Sequence, residues 1–253
     1  MKIFLLLRIV KSNFSMPQGK FIIIDGIDGC GKSTILEFWV EFLRSQNKKI
    51  FCLKDYWKEH GKHPLPEELQ AYDVIVSAEP TYVWTGAAIR QELIRNGTGY
   101  SARTIAEAYA LDRLILYTRL LLPLRAQGKM ILQDRSVSTS LCYQSVQEGG
   151  LPQDEIAAIE GNAFALLHAP DHLVLTHMPI ENAMARVGVR TDKKDDALFE
   201  KTDFLTRAQD CFLSQTYQAY FTSRGTKIHL LNCDVSLDII QKESLNLFDS
   251  LFI

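Results

Sequence analysis

Apolar residues in this chain fall into short β-branched runs separated by longer stretches of helical period. Runs at 20–24, 50–53, 74–77, 130–132, 172–176 and 227–231 read as strands. The first is apolar throughout its Phe21-Ile22-Ile23-Ile24 core, as expected of a strand buried on both faces. Elsewhere apolar positions recur every three or four residues, the helical signature. In 33–45 they place Ile35, Leu36, Trp39, Val40 and Leu43 on one face. Helical patterns also cover 85–96, 101–126, 137–147, 152–167, 180–187, 197–223 and 237–251. Pro123 is expected to kink or end the 101–126 helix, because proline lacks the N–H donor and clashes with the preceding turn. Residues 54–73, with Gly61, Pro64 and Pro66, read as an insertion, and 188–196 as a charged loop. Strands alternating with helices predict a parallel sheet covered on both faces. A ligand then belongs at the carboxyl ends of the strands.

One such strand end carries chemistry. Gly26-Ile27-Asp28-Gly29-Cys30-Gly31-Lys32-Ser33, followed by Thr34, fits the phosphate-loop pattern G-x-x-x-x-G-K-[ST] between a strand and a helix, the context this motif requires. Successive backbone N–H groups of such a loop turn inward and wrap phosphate oxygens, and the following helix adds its positive dipole end. Lys32 is placed to reach the β- and γ-phosphates and the Ser33 hydroxyl to ligate Mg²⁺.

Composition narrows the partners. The chain has 253 residues, 47% hydrophobic and 23% charged, enough for one large α/β domain, taken as 19–253. Lys+Arg of 28 against Asp+Glu of 30 gives 28 − 30 = −2, so no electrostatic case exists for a nucleic-acid partner. Five scattered cysteines without C-x-x-C suggest neither a disulfide framework nor a zinc site, and point to the cytoplasm. Residues 1–18 are set apart as an extension, or as the result of a start assigned at Met1 rather than Met16. Arg8 interrupts their apolar run, which is too short to span a bilayer, so no membrane partner is expected.

A phosphate loop alone does not separate GTPases, motors and small-molecule kinases. Asn47-Lys48-Lys49-Ile50 lacks the Asp of a guanine-reading N-K-x-D, and the length leaves no room for the further domains of a motor. A small kinase needs arginines around an acceptor pocket, and Arg90, Arg113, Arg135, Arg186 and Arg190 are candidates.

At this point the chain resembles the thymidylate (dTMP) kinases. Residues 25–34 look like their phosphate loop. Ala78-Glu79-Pro80-Thr81 with Ile89-Arg90 is similar to their R-E-P…I-R segment, and Tyr109-Ala110-Leu111-Asp112-Arg113 to their F-A-x-x-R helix. Residues 134–144 resemble D-R-[YH]-x-x-S-x-x-A-Y-Q, and Pro170-Asp171, Pro179 and Arg186 the later P-D-L…P-E…R stretch. The likeness runs collinearly from about residue 20 to 231.

The resemblance implies a P-loop NTPase-type three-layer α/β/α fold with a central parallel five-stranded sheet and a short lid at about 186–200. It implies ATP- and Mg²⁺-dependent phosphorylation of dTMP to dTDP, a step toward dTTP, by a homodimer joined through helices near 90–120. Tyr109 and Arg113, four apart on a helix, would stack on and hydrogen-bond the base or phosphate, with Glu79 and Arg90 beside them. Arg135 would grip the acceptor phosphate, with Asp134 orienting Mg²⁺-bound water or holding Arg135. Ser140 and Gln144 would face the base edge, Tyr143 would crowd a ribose 2′-hydroxyl, and Asp28 would contact the sugar 3′-hydroxyl. Some family members carry an arginine in the phosphate loop where this chain has Gly29. Arg186 and Arg190 would then supply that charge from the lid, with Lys32 and Asp134 completing the catalytic set. Ala78 replaces the arginine of R-E-P, Ser136 a Tyr or His, and Thr139 a Ser, and 54–73 has no family counterpart. The alternatives are another (deoxy)nucleoside monophosphate kinase, a deoxynucleoside kinase using Glu79 as base, or a non-catalytic nucleotide-binding regulator.

Overall fold

The computed structural model describes residues 18–95, 97–188 and 202–251. Six strands form one parallel sheet: β1 Phe21–Gly26, β2 Ile50–Cys52, β3 Val74–Ala78, β4 Met130–Asp134, β5 His172–His177 and β6 Lys227–Asn232. Their order is β2-β3-β4-β1-β5-β6. The sheet has six strands rather than the five expected: β2 pairs with β3 at one edge, and β6 pairs with β5 at the other, from His172↔Lys227 to His177↔Asn232. As an edge strand β6 is largely exposed, with Leu230 open to solvent.

Helices cover both faces. They are α1 Lys32–Ser45, α2 Leu53–His60, α3 Trp84–Ala88, α4 Ala102–Leu116, α5 Leu122–Ala126, α6 Val137–Val146, α7 Gln153–Ala158, α8 Glu160–Leu167, α9 Ile180–Gly188, α10 Thr202–Leu213, α11 Gln215–Thr222 and α12 Leu237–Ser250. Strand side chains alternate between faces, and β1 uses both. Ile22 and Ile24 join Trp39 of α1 and Phe248 of α12 in one core, while Phe21 and Ile23 join Tyr117, Leu120 and Leu141 in the other. The Trp39 and Phe248 rings lie 4.8 Å apart, and the Trp39 indole N–H donates to the Ser244 carbonyl at 2.9 Å. A buried indole needs such a partner.

Several sequence expectations are corrected. Residues 54–73, expected as an insertion, form the connection from β2 to the adjacent β3: α2 and a 3₁₀ turn, Pro66–Leu69, bury Leu53, Trp57 and Leu69 in the core. Pro123, expected to kink or end its helix, does not end it. A π-type turn, Tyr117–Leu121, precedes it, and the Leu122 N–H bonds back to the Tyr117 carbonyl. That wider turn absorbs the proline before the chain continues as α5. The 152–167 pattern is split at Ile159, whose backbone is extended. The described part of the 197–223 pattern is split at Ser214, whose hydroxyl caps α11 by accepting from the Tyr217 N–H. Residues 1–17, Arg190 and most of the lid at 186–200 lie outside the described residues.

Candidate active site

β1 lies between β4 and β5, where the strand order reverses, and the chain leaves β1 directly into the phosphate loop. Such a switch point opens a crevice at the carboxyl edge of a parallel sheet. The loop turns through glycines. Gly29 has φ +85°, and a Cβ built on it would stand 2.3 Å from the Ala183 carbonyl oxygen of α9. Helix α9 therefore packs directly on the phosphate loop, and position 29 cannot hold a side chain without displacing backbone.

Lys32 opens α1 and is buried, its ammonium donating to the carbonyls of Gly26 at 3.0 Å and Ile27 at 2.7 Å. Burial, with Arg135 adding repulsion, pulls its pKa below the usual lysine value. Ser33 beside it is exposed, Thr34 half-buried, and the Cys30 side chain turns into the core. Arg186 of α9 approaches the loop from the far side: its Nη2 donates to the Cys233 carbonyl at 3.1 Å, and its Nη1 lies 3.9 Å from where a Gly31 Cβ would stand.

On the acceptor side, Arg135 follows β4 with φ +65°. Its Nη2 donates to Asp28 at 2.7 Å, its Nη1 to the Gly26 carbonyl at 3.4 Å, and its guanidinium covers the Tyr143 ring at 5.1 Å. The Tyr143 hydroxyl donates to the other Asp28 oxygen at 3.2 Å. Asp28, Arg135 and Tyr143, three expected site residues from three elements, thus form one unit. Tyr109 of α4 lies in the field of Arg90, Arg135, Asp28 and Arg113, and burial pushes its hydroxyl up to about 12. Asp134 keeps one carboxylate oxygen, Oδ1, buried with no hydrogen-bond partner, and Gln144 likewise leaves its Oε1 unpartnered. Native structures rarely leave such atoms unpaired without a use for them.

Glu79 and Arg113 behave differently from expectation. Arg113 is 1% exposed and Glu79 3%. The Arg113 Nε donates to Glu79 at 2.8 Å, its Nη2 to Ser140 at 3.0 Å, and its Nη1 to Asn162 of α8. The other Glu79 oxygen accepts from Gln133 at 2.9 Å and Ser136 at 3.4 Å. Arg113, Glu79 and Ser140 therefore tie the pocket wall together, and both Glu79 oxygens already serve that wall rather than standing free as a base. Burial, opposed by Arg113, raises the Glu79 carboxyl to about 7.

Sequence reasoning missed Asp25 and Asn162. Asp25 is fully buried at the end of β1 and accepts from the Gly26 N–H at 2.8 Å, the Thr139 hydroxyl at 2.7 Å and the Ser138 hydroxyl. Burial raises its pKa, against the pull of Arg135. Asp25 fastens the start of α6 to the phosphate loop and so fixes Arg135, which precedes that helix. The available signal was a carboxylate ending an apolar strand, because a buried charge must be paired. Asn162 gave no signal in its own segment.

Comparison with known proteins fits this geometry. A family model described as thymidylate kinase matches residues 62–229. The chain is 28% identical to a thymidylate kinase of Desulfotalea psychrophila, over 90% of this chain and 94% of that protein. It is 30% identical to a probable thymidylate kinase of Thermococcus onnurineus, over 69% and 74%, and 26% identical to one of Caldivirga maquilingensis, over 76% and 78%.

Proposed function

The chain belongs to the thymidylate kinase family, and from that premise we infer that it transfers a phosphoryl group from ATP to dTMP, with Mg²⁺, in nucleotide biosynthesis. The observation that carries the reading at the site is the bridge from Arg135 to Asp28, which brings a cation of the acceptor pocket onto the phosphate loop itself.

Phosphoryl transfer asks a protein mainly to position groups and neutralise charge. The loop amides would hold the donor phosphates, and Lys32 would exchange its two carbonyl partners for phosphate oxygens. Ser33, exposed at the start of α1, and the unpartnered Asp134 Oδ1 would hold Mg²⁺, Asp134 directly or through water. When bound, that ion neutralises charge on the donor phosphates. Arg135 and Arg90 would orient the acceptor phosphate, Asp28 and Tyr143 the sugar, and Tyr109, Ser140 and Gln144 the base, with Glu79 and Arg113 holding the wall. Arg186, with Arg190 after it, would meet the charge on the transferring group. The deoxynucleoside-kinase alternative needs Glu79 as a free base, and both its oxygens are engaged.

Residues 19–253 would act as one kinase domain. A homodimer through helices near 90–120 is supported by Leu111, exposed on α4, and light scattering at twice the 28.8 kDa chain mass would check it. Among the described residues no helix is long and apolar enough to cross a membrane. We place the protein in the cytoplasm, which cell fractionation would test. Phosphorus NMR of ATP, Mg²⁺ and dTMP with the enzyme should show dTDP and ADP appearing. A folded Lys32→Ala variant should be slower by roughly a hundredfold or more, the scale of one lost electrostatic stabiliser. Wild-type turnover by that variant would contradict the mechanism.

A further inference from the structure

The crossover helix α2 carries two charges that nothing in the fold accounts for. Lys54 and Lys58 are four residues apart and share one helix face. Their ammonium groups lie 5.7 and 5.3 Å from the centroid of the Tyr82 ring, and the Arg90 guanidinium lies 4.0 Å from the same centroid. Among the described residues no carboxylate pairs with any of the three. A tyrosine ring offers each cation only a weak attraction, which leaves like charges around one ring with nothing to offset their repulsion. Three cations gathered without a counter-ion make a place for an anion.

The cluster opens on the acceptor side of the crevice. In the sheet Cys52 is in register with Val76, and Ala78 with Asp134. Lys54, two residues beyond Cys52, therefore leaves the sheet at the same carboxyl edge as Asp134 and Arg135. It stands one strand away from Ala78, which brings no charge. Arg90 is fixed there by donating from Nε to the carbonyls of Pro80 at 3.0 Å and Thr81 at 3.1 Å. Arg90, Arg135 and Asp28 each act electrostatically on the buried Tyr109 hydroxyl.

We propose that Lys54 and Lys58 join Arg90 in holding the phosphate monoester of the acceptor nucleotide, an inference that rests on the kinase reading. The Tyr82 ring holds the two ammonium groups near that position before the anion arrives. Residues that looked like an insertion thus bring the site its third and fourth phosphate cations, beside Arg135 and Arg90.

The test is calorimetry at low salt with dTMP and with thymidine, on wild type and on the Lys54→Gln/Lys58→Gln double variant. The double variant should bind dTMP roughly tenfold or more weakly, the scale of lost charge-assisted contacts. Its thymidine affinity should match wild type, and its dTMP affinity should fall less steeply with added KCl. A Lys54→Arg/Lys58→Arg variant should recover dTMP binding. Equal dTMP affinity in wild type and the glutamine variant would overturn the inference while leaving the kinase reading intact. An equal loss for dTMP and thymidine would overturn it as a packing effect. A wild type that binds ATP but no dTMP would take down the kinase reading, and this inference with it.

Discussion

Arg135 and Asp28, 107 residues apart in the chain, meet at 2.7 Å through the Arg135 Nη2 and one Asp28 carboxylate oxygen. The contact joins the end of β4 to the phosphate loop, so the residue that would orient the acceptor also braces the donor site. Arg135→Ala should raise the dTMP KM at least roughly tenfold and lower kcat, since a charge-assisted bond is worth about 1.5–3 kcal/mol. ATP affinity should fall by a smaller factor, because Arg135 touches the loop through Asp28 and Gly26. Steady-state kinetics with each substrate varied would check this, and a larger loss for ATP than for dTMP would mean the two sites are reversed.

Gly29 meets α9 with no space for a methyl group. A substitution there needs an unfavourable left-handed backbone, costing about 1–2 kcal/mol for a non-glycine residue, and must also push back the Ala183 carbonyl 2.3 Å away. Gly29→Ala should therefore lower the melting temperature by several degrees and slow catalysis. Gly29→Arg, which would place a loop arginine as some relatives of the fold do, should be worse rather than compensating. Thermal unfolding of both variants is the measurement, and an undiminished melting temperature for Gly29→Arg would refute the packing argument.

Arg186 lies at the phosphate loop with its guanidinium on the Cys233 carbonyl. Moving from that carbonyl to the transferring phosphoryl group would make its contribution largest in the transition state. Arg186→Ala should lower kcat by more than it weakens the binding of either ATP or dTMP. Single-turnover rates set beside calorimetric affinities would separate the two. Unchanged single-turnover rates would remove Arg186 from the chemistry.

Much of this was legible from the chain because its signals are local. The phosphate loop is contiguous, β1 is apolar on both faces, and Arg135 directly follows Asp134 at a strand end. What stayed hidden depends on contacts across long separations. Asp25 meets Thr139 114 residues away, and Arg113 meets Asn162 49 residues away. Nothing near Arg113 in the chain announced that its charge would be consumed inside the wall. β6 was legible as a strand, but its place in the sheet depended on pairing with β5. Within 54–73 the helix stayed hidden because glycine and prolines mask a short element whose Trp57 is buried, its indole N–H donating to His63 Nδ1 at 2.9 Å.

The Glu79–Arg113 pair gives the fold a pH dependence of definite sign. Burial raises the Glu79 carboxyl from an ordinary 4.5 to about 7. Between those values the folded chain holds a proton that the unfolded chain has released, so this group's contribution to stability falls as pH rises. The loss should begin near pH 4.5 and be complete above about 7. Urea unfolding of wild type and Glu79→Gln across pH 4.5–8.5 would isolate it. The wild-type minus variant difference should decline through that window and then flatten. A difference that rises with pH would reverse the assignment.

Which molecule accepts the phosphoryl group decides the function. ADP release with ATP and Mg²⁺ present, measured across dTMP, dUMP, UMP, CMP, dGMP and thymidine, tests that most directly. The predicted result is the highest kcat/KM for dTMP and no turnover of thymidine, because the proposed acceptor contacts of Arg135 and Arg90 are to a phosphate and both Glu79 oxygens already accept hydrogen bonds from the wall. Turnover of thymidine with dTMP inert, or ADP release no faster with dTMP than without any acceptor, would contradict it.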